Sequence, residues 1–179
     1  MTRIKPIVLN RASAPLKTAF MNHLAEYKGR ITNMKATLGH SVLAFKVYMQ
    51  WYPLYEKVQQ ILGARMAYLY AFSISEGSNC PLCSTFFRKI IVDAGEKPEH
   101  LILTTEEQLI LDFGSSIAKD KGHVSDSLYN QIAALYNEEK KVLLIAFAGQ
   151  MIATNIFNNV VETDIDEYLT PYLPLTLAS

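Results

Sequence analysis

The sequence predicts an all-α fold in one domain. Three observations carry that prediction. Apolar residues recur at three- and four-residue steps over most of the chain, and no stretch alternates convincingly as a strand would. The 179 residues are 50 % apolar and 19 % charged, which excludes general disorder and supplies one sizeable core. No internal repeat, low-complexity tract or linker divides residues 1–179. About seven or eight helices are expected.

The first helix is read over Ala14 to Tyr27, where Leu16, Phe20, Leu24 and Tyr27 share one face. Gly39 to Tyr52 is rich in apolar and aromatic residues and is interrupted by Pro53. A long helix is expected from Leu54 to about Ser75, carrying Val58, Ile61, Leu62, Arg65, Met66, Leu69, Tyr70 and Ile74. Gly77 stops it, and Ser78 or Asn79 is expected to help cap the next, with Pro81 in its first turn. That helix runs to about Gly95. Thr105 with Gln108 fits a capping box for a helix ending near Gly122. Ser125 opens another. Asn137 caps a last long helix to about Glu162, which is apolar almost all round and is expected inside a core or an assembly. The tail from Thr170 to Leu175 is expected to be extended and to pack over another element or a neighbouring subunit.

Seventeen basic and seventeen acidic residues give zero net charge. That removes the electrostatic reason to expect a nucleic-acid partner and favours self-association. The apolar run near the N-terminus, Ile7 to Leu9, is far shorter than the roughly 7–15 residues of a signal peptide. Val142 to Ala153 is interrupted by Gln150 and falls short of the ~20 residues of a membrane span. A cytoplasmic location without a membrane partner is expected.

The one chemically pointed feature is Cys80-Pro81-Leu82-Cys83. Thiolates attack peroxides and disulfides, whereas thiols scarcely do, and a helix start favours the thiolate through its free N–H groups and positive end. A preference of about 2 kcal/mol suffices to ionise a large share of such a thiol near pH 7. The spacing lets the second sulfur resolve a sulfenic acid or mixed disulfide on the first. Free cysteine is also often just a small buried hydrophobe. No metal is expected, because only two cysteines exist and no histidine is close by. A thioredoxin fold is disfavoured by helices on both sides of the motif. No cofactor is expected.

The run Arg65-Met66-Ala67-Tyr68-Leu69-Tyr70-Ala71-Phe72-Ser73-Ile74-Ser75-Glu76-Gly77-Ser78-Asn79-Cys80-Pro81-Leu82-Cys83 resembles the core of the carboxymuconolactone decarboxylase superfamily, in its alkylhydroperoxidase AhpD-like branch. The resemblance continues through Asp93 to Glu96, Leu103 to Glu107, Val124 to Asp126 and Ala153 to Asn158, and covers roughly residues 40–165. It implies an all-α fold assembled as trimers or hexamers, with peroxidase or disulfide-reductase chemistry. It makes Cys83 the peroxide-reactive thiol and Cys80 its resolving partner. Helix-start electrostatics instead favours Cys80 as the more acidic, and both assignments stand at this point.

Two positions depart from the pattern. Tyr68 stands where the family has the glutamate of its proton relay, and Phe87 where it has the histidine. A phenol passes a proton poorly and phenylalanine not at all. Candidate substitutes or pocket residues are Glu76, Tyr68, His40 and Asn155, each also readable as structural. Tyr68 and Tyr70 fall on different faces of one helix, so at most one is expected at the motif. Gln150 and Asn155 sit in an apolar helix and need hydrogen-bond partners. His23 and His100 read as surface residues, and His123 as a turn or helix end. Arg65 is expected to pair with an acid across helices or to lie along the surface.

Two functions compete. One is a cysteine-based antioxidant enzyme, acting on a hydroperoxide or disulfide and re-reduced by an unidentified thiol reductant protein. The other is a non-catalytic helical oligomer that kept the fold and lost the relay. Decarboxylase or lactone chemistry ranks last, since no basic cluster lies near the motif in sequence.

Overall fold

In the computed structural model, which describes residues 2–174, the chain is all-helical: among the described residues there are nine α-helices and two 3₁₀ segments, with no strand. The helices are α1 (Ala14–Tyr27), α2 (Asn33–Leu38), α3 (Val42–Tyr48), α4 (Trp51–Leu62), α5 (Ala64–Gly77), α6 (Pro81–Asp93), α7 (Thr105–Lys119), α8 (Asp126–Leu135) and α9 (Glu138–Val161). The 3₁₀ segments are Leu9–Arg11 and Glu167–Tyr172.

The start signals follow from side-chain oxygens within reach of free N–H groups. Ser125 accepts from the Leu128 N–H and Asn137 from the Lys140 N–H, as the sequence predicts. The capping box of α7 lies one residue earlier than expected: Thr104 and Glu107 cap each other's backbone, not Thr105 and Gln108. The expected long helix from Leu54 is two helices. Gly63, at φ +80°, breaks the ladder after Leu62, and α5 starts afresh at Ala64. Pro53 does not interrupt a helix, because it sits in the first turn of α4, where its missing N–H has no intrahelical partner to lose.

α5 is the centre of the fold, packed against α4, α6, α7 and α9. Leu69, Tyr70, Ala71 and Ile74 of α5 meet Ile110 and Phe113 of α7 and Leu144, Phe147 and Ala148 of α9 in the main core. Full burial of a side chain such as Phe147 is worth roughly 1.5–3 kcal/mol. α5 and α7 approach closely at Gly114, where a Cβ would stand 2.6 Å from Ser73 Oγ and 2.7 Å from the Tyr70 ring. A second core joins Leu16 and Phe20 of α1 to Leu38 and Phe45. By length and composition α9 could cross a bilayer. Here its Leu144–Phe147–Met151 stripe is buried, and its other side exposes Val142, Ile145, Ile156 and Val160.

The tail is not extended as expected over Thr170 to Tyr172, although Leu173, at φ −59° and ψ 139°, is. It forms the 3₁₀ segment Glu167–Tyr172, which packs on α6 and buries Leu169 against Cys80, Leu82 and Cys83. Leu175, also part of that expectation, lies outside the described residues.

Candidate active site

Three elements bring the two thiols together. α5 ends at Gly77, and the turn through Ser78 and Asn79 (φ +49°) delivers Cys80 to the N-cap of α6. Neither Ser78 nor Asn79 caps α6; Cys80 itself holds that place without a side-chain capping bond. The Cys80 N–H donates to the Ser75 carbonyl at 3.1 Å, and the Ser84 N–H donates to the Cys80 carbonyl at 2.9 Å. α9 pins the turn from outside: Asn159 Nδ2 donates to the carbonyls of Ser78 and Asn79 at 3.1 and 3.2 Å.

Both cysteines are free and buried. They stand one helical turn apart, and each shifts the acidity of the other. The Cys83 S–H donating to Cys80 holds the Cys80 thiol below its ordinary value, against the opposing effect of burial, and the backbone N–H groups of Cys83 and Leu82 add to it. The same bond, together with burial, pushes Cys83 well above the ordinary thiol range. The pair therefore titrates as a unit, with Cys80 favoured as the more acidic of the two sulfurs. Asn158 of α9 completes the group. Its Nδ2 donates to Cys83 Sγ at 3.2 Å, and it favours the ionised form of both sulfurs.

The sulfurs open on two different cavities. Cys83 lies on the wall of a cavity of about 110 Å³, together with Trp51, Tyr52, Phe86, Phe87, Met151 and Asn158. Cys80 faces a more polar cavity of about 260 Å³ with Glu76, Asn79, Ser84, Thr85 and Arg88. The walls of the first are held firmly: Trp51 Nε1–H donates to Met151 Sδ at 2.8 Å and its ring stacks on Tyr55 at 4.5 Å.

The sequence-derived candidates separate on this geometry. Glu76 lines the cavity on the Cys80 side. Tyr68 lines neither cavity; its hydroxyl donates to Glu96 Oε1 at 2.9 Å. Glu96 is itself gripped by Arg65, which also holds Glu107, at 2.6 and 2.5 Å. Tyr70 is fully buried and donates to the Leu144 carbonyl at 3.2 Å. His40 is exposed, with Nε2 3.0 Å from the Lys5 carbonyl, well outside both walls. Asn155 is fully buried with neither side-chain polar atom partnered, and it too lines neither cavity. Phe87 is an apolar wall beside Cys83.

His23 is not a surface residue. It is 4 % exposed, ringed by Tyr27, Phe45 and Tyr52, and burial depresses its pKa to about 4. Polar wall residues that escaped the sequence reading as site residues include Asn158, Lys35 and Asp166. Asn158 falls on the buried stripe that runs through Phe147 and Met151, so helical spacing could have found it. Lys35 and Asp166, both on the Cys83 cavity, carry no such signal.

No family description matches the sequence, and no curated protein is detectably similar to it. Solved structures do share its fold. An alanine variant of the debrominase Bmp8 in complex with 2,3,4-tribromopyrrole superposes with a TM-score of 0.75 at 14 % identity, covering 96 % of each chain. An uncharacterized peroxidase-related protein from Silicibacter sp. TM1040 superposes with a TM-score of 0.70 at 10 % identity, covering 94 % of this chain and 93 % of that one. The chain has the helical fold of these proteins, as expected of an AhpD-like domain.

Proposed function

We propose that the protein is a thiol-based redox enzyme of the AhpD-like branch that reduces a hydroperoxide or a disulfide through Cys80 and Cys83. The observation that carries this reading is the pair of neighbouring thiols at a helix start, with Asn158 donating to Cys83. The missing glutamate–histidine relay is no obstacle, because the pair supplies its own base. Cys83 faces the cavity that a small substrate would enter, and Cys80, the more acidic neighbour, is the sulfur placed to take its proton.

In this mechanism Cys83 sulfur attacks the distal oxygen of ROOH while its proton passes to Cys80. The O–O bond breaks, and ROH leaves with a proton from the dithiol or solvent. Cys83 becomes a sulfenic acid. Cys80 sulfur then displaces water from it, forming the Cys80–Cys83 disulfide. The balance is two thiols and ROOH giving one disulfide, ROH and water. A thiol reductant protein is proposed to restore the dithiol from the Cys80 side.

The test is to treat reduced protein with tert-butyl hydroperoxide and count thiols. Both are expected to disappear into one intramolecular disulfide, and the Cys80→Ser variant, which keeps the attacking sulfur but loses its base, to accumulate a sulfenic acid on Cys83 only at alkaline pH. Two unchanged thiols would leave the non-catalytic reading. For assembly, we propose a homo-oligomer covering the outer face of α9, where Val142, Ile145, Ile156 and Val160 are exposed. A 20 kDa species in sedimentation at micromolar concentration would refute it.

The aromatic wall beside Cys83 favours a second reading, removal of a halogen from an aromatic ring. Two thiols and an aryl bromide would give the reduced arene, one disulfide and HBr. Bromide release from 2,3,4-tribromopyrrole by reduced protein tests it.

A further inference from the structure

The cavity that Cys83 faces has one basic residue on its wall. Lys35 of α2 lies on the same wall and is 6 % exposed. Its Nζ donates to the Tyr52 hydroxyl at 2.7 Å and to the Arg30 carbonyl at 3.0 Å. Among the described residues no carboxylate lies within ion-pairing distance of it. An ammonium carries three N–H donors, so one remains unassigned. Burying a charged group with no counter-ion is costly, and the usual solutions are a paired charge or a bound ligand.

The remaining charges around it leave a positive balance. Asp166 is the one acid on the wall; its Oδ1 accepts the Asn33 N–H at 2.9 Å and burial raises its pKa. Arg30 stands over the Tyr168 ring, 4.0 Å from its centroid, and acts electrostatically on both Lys35 and Asp166. Lys35 is thus the one cation on the wall, facing one carboxyl, with the exposed Arg30 behind Tyr168 adding screened positive charge. Between this end and the thiol, the walls are aromatic: Trp51, Tyr52, Phe86, Phe87 and Tyr168. The volume, about 110 Å³, is of the order of the ~150 Å³ apolar cavity that admits benzene, which limits an occupant to a single ring.

We propose that the cavity binds single-ring aromatic anions, with the anionic group on Lys35 and the ring between the aromatic walls, its far edge at Cys83. This rests on the thiol-redox reading and names its substrate class: an aryl carboxylate or phenolate that presents its reducible group to the sulfur. Lys35 acts here in binding and positioning.

The test uses the protein's single tryptophan, Trp51, which lines the cavity and reports occupancy through its fluorescence. Benzoate is the probe and benzamide its neutral isostere, at neutral pH. Benzoate is expected to bind at least tenfold more tightly than benzamide. Lys35→Met is expected to abolish that preference while leaving benzamide affinity within about twofold, which shows that the cavity is intact. Tyr52→Phe keeps the ammonium and is expected to keep the preference, and Asp166→Asn to enlarge it. Equal binding of the two probes, binding of neither, or a preference that survives Lys35→Met would each overturn the proposal. Thiol loss to tert-butyl hydroperoxide, measured in the same Lys35→Met protein, separates the two claims. Its persistence without anion preference in the parent protein would leave the redox reading and remove this one.

Discussion

Asn158 Nδ2 lies 3.2 Å from Cys83 Sγ, joining α9 to the first turn of α6 across 75 positions of sequence. This contact ties the acidity of the thiols to the packing of the longest helix. Asn158→Leu keeps the volume and removes the donor. A hydrogen bond between uncharged groups is worth about 0.5–1.5 kcal/mol, so the reaction of the thiols with a small disulfide at neutral pH is expected to slow by roughly 2- to 10-fold. Stopped-flow thiol kinetics measures it, and an unchanged rate would remove Asn158 from the site.

Gly114 sets the spacing of α5 and α7. Gly114→Ala would push a methyl against Ser73 Oγ and the Tyr70 ring, both held inside the core. Overpacking of this kind costs about 1–3 kcal/mol. A lowered midpoint in urea unfolding is expected, and a midpoint at or above the parent's would show that the helices give way freely.

His23 makes stability depend on pH. Its folded-state pKa, about 4, is below the ordinary 6.5, so the unfolded chain takes up the proton first. Its contribution is fully present above pH ~6.5 and is lost as pH falls toward about 4, by up to roughly 3 kcal/mol. Neither ring nitrogen has a partner, so His23→Phe is expected to flatten this part of the stability–pH curve. Urea unfolding across that range checks it; an identical curve in the variant would contradict it.

The Arg65 clamp acts at lower pH. The guanidinium holds Glu96 below the usual carboxylate range; Glu107 is also lowered, first by the Thr104 N–H and then by Arg65. The clamp's stability is present above the unfolded value near 4.3 and is lost as pH falls through the depressed folded values. These groups are partly exposed, so about 1 kcal/mol or less is expected. Glu96→Gln should remove that acid-side loss in thermal unfolding scans, and an unaltered acid limb would argue against it.

The sequence was most legible where one turn of chain contains the whole cause. Ser125 and Asn137 cap their helices because a side-chain oxygen and its N–H target are three residues apart. The break at Gly63 was hidden because apolar spacing continues on both sides of it. His23 follows Phe20 by three and Leu16 by seven, so its burial was written in helical spacing that the residue's polarity obscured. The thiol pair was readable from Cys80 and Cys83 alone. Its surroundings were not, because Lys35, Trp51, Asn158 and Asp166 meet only through tertiary packing. Tyr68 and Phe87 read as losses of a relay. In the fold, one is tied to Glu96 and the other is a cavity wall.

The account stands on one proton shared between two sulfurs. Thiolate absorbance of the reduced protein against pH measures this directly. Two separated inflections are expected, the first below the ordinary thiol value and the second well above it. Cys83→Ser should keep a single ionising sulfur, and Cys80→Ser should move the remaining ionisation to high pH. Coincident inflections at the ordinary value, unchanged in either variant, would contradict the account.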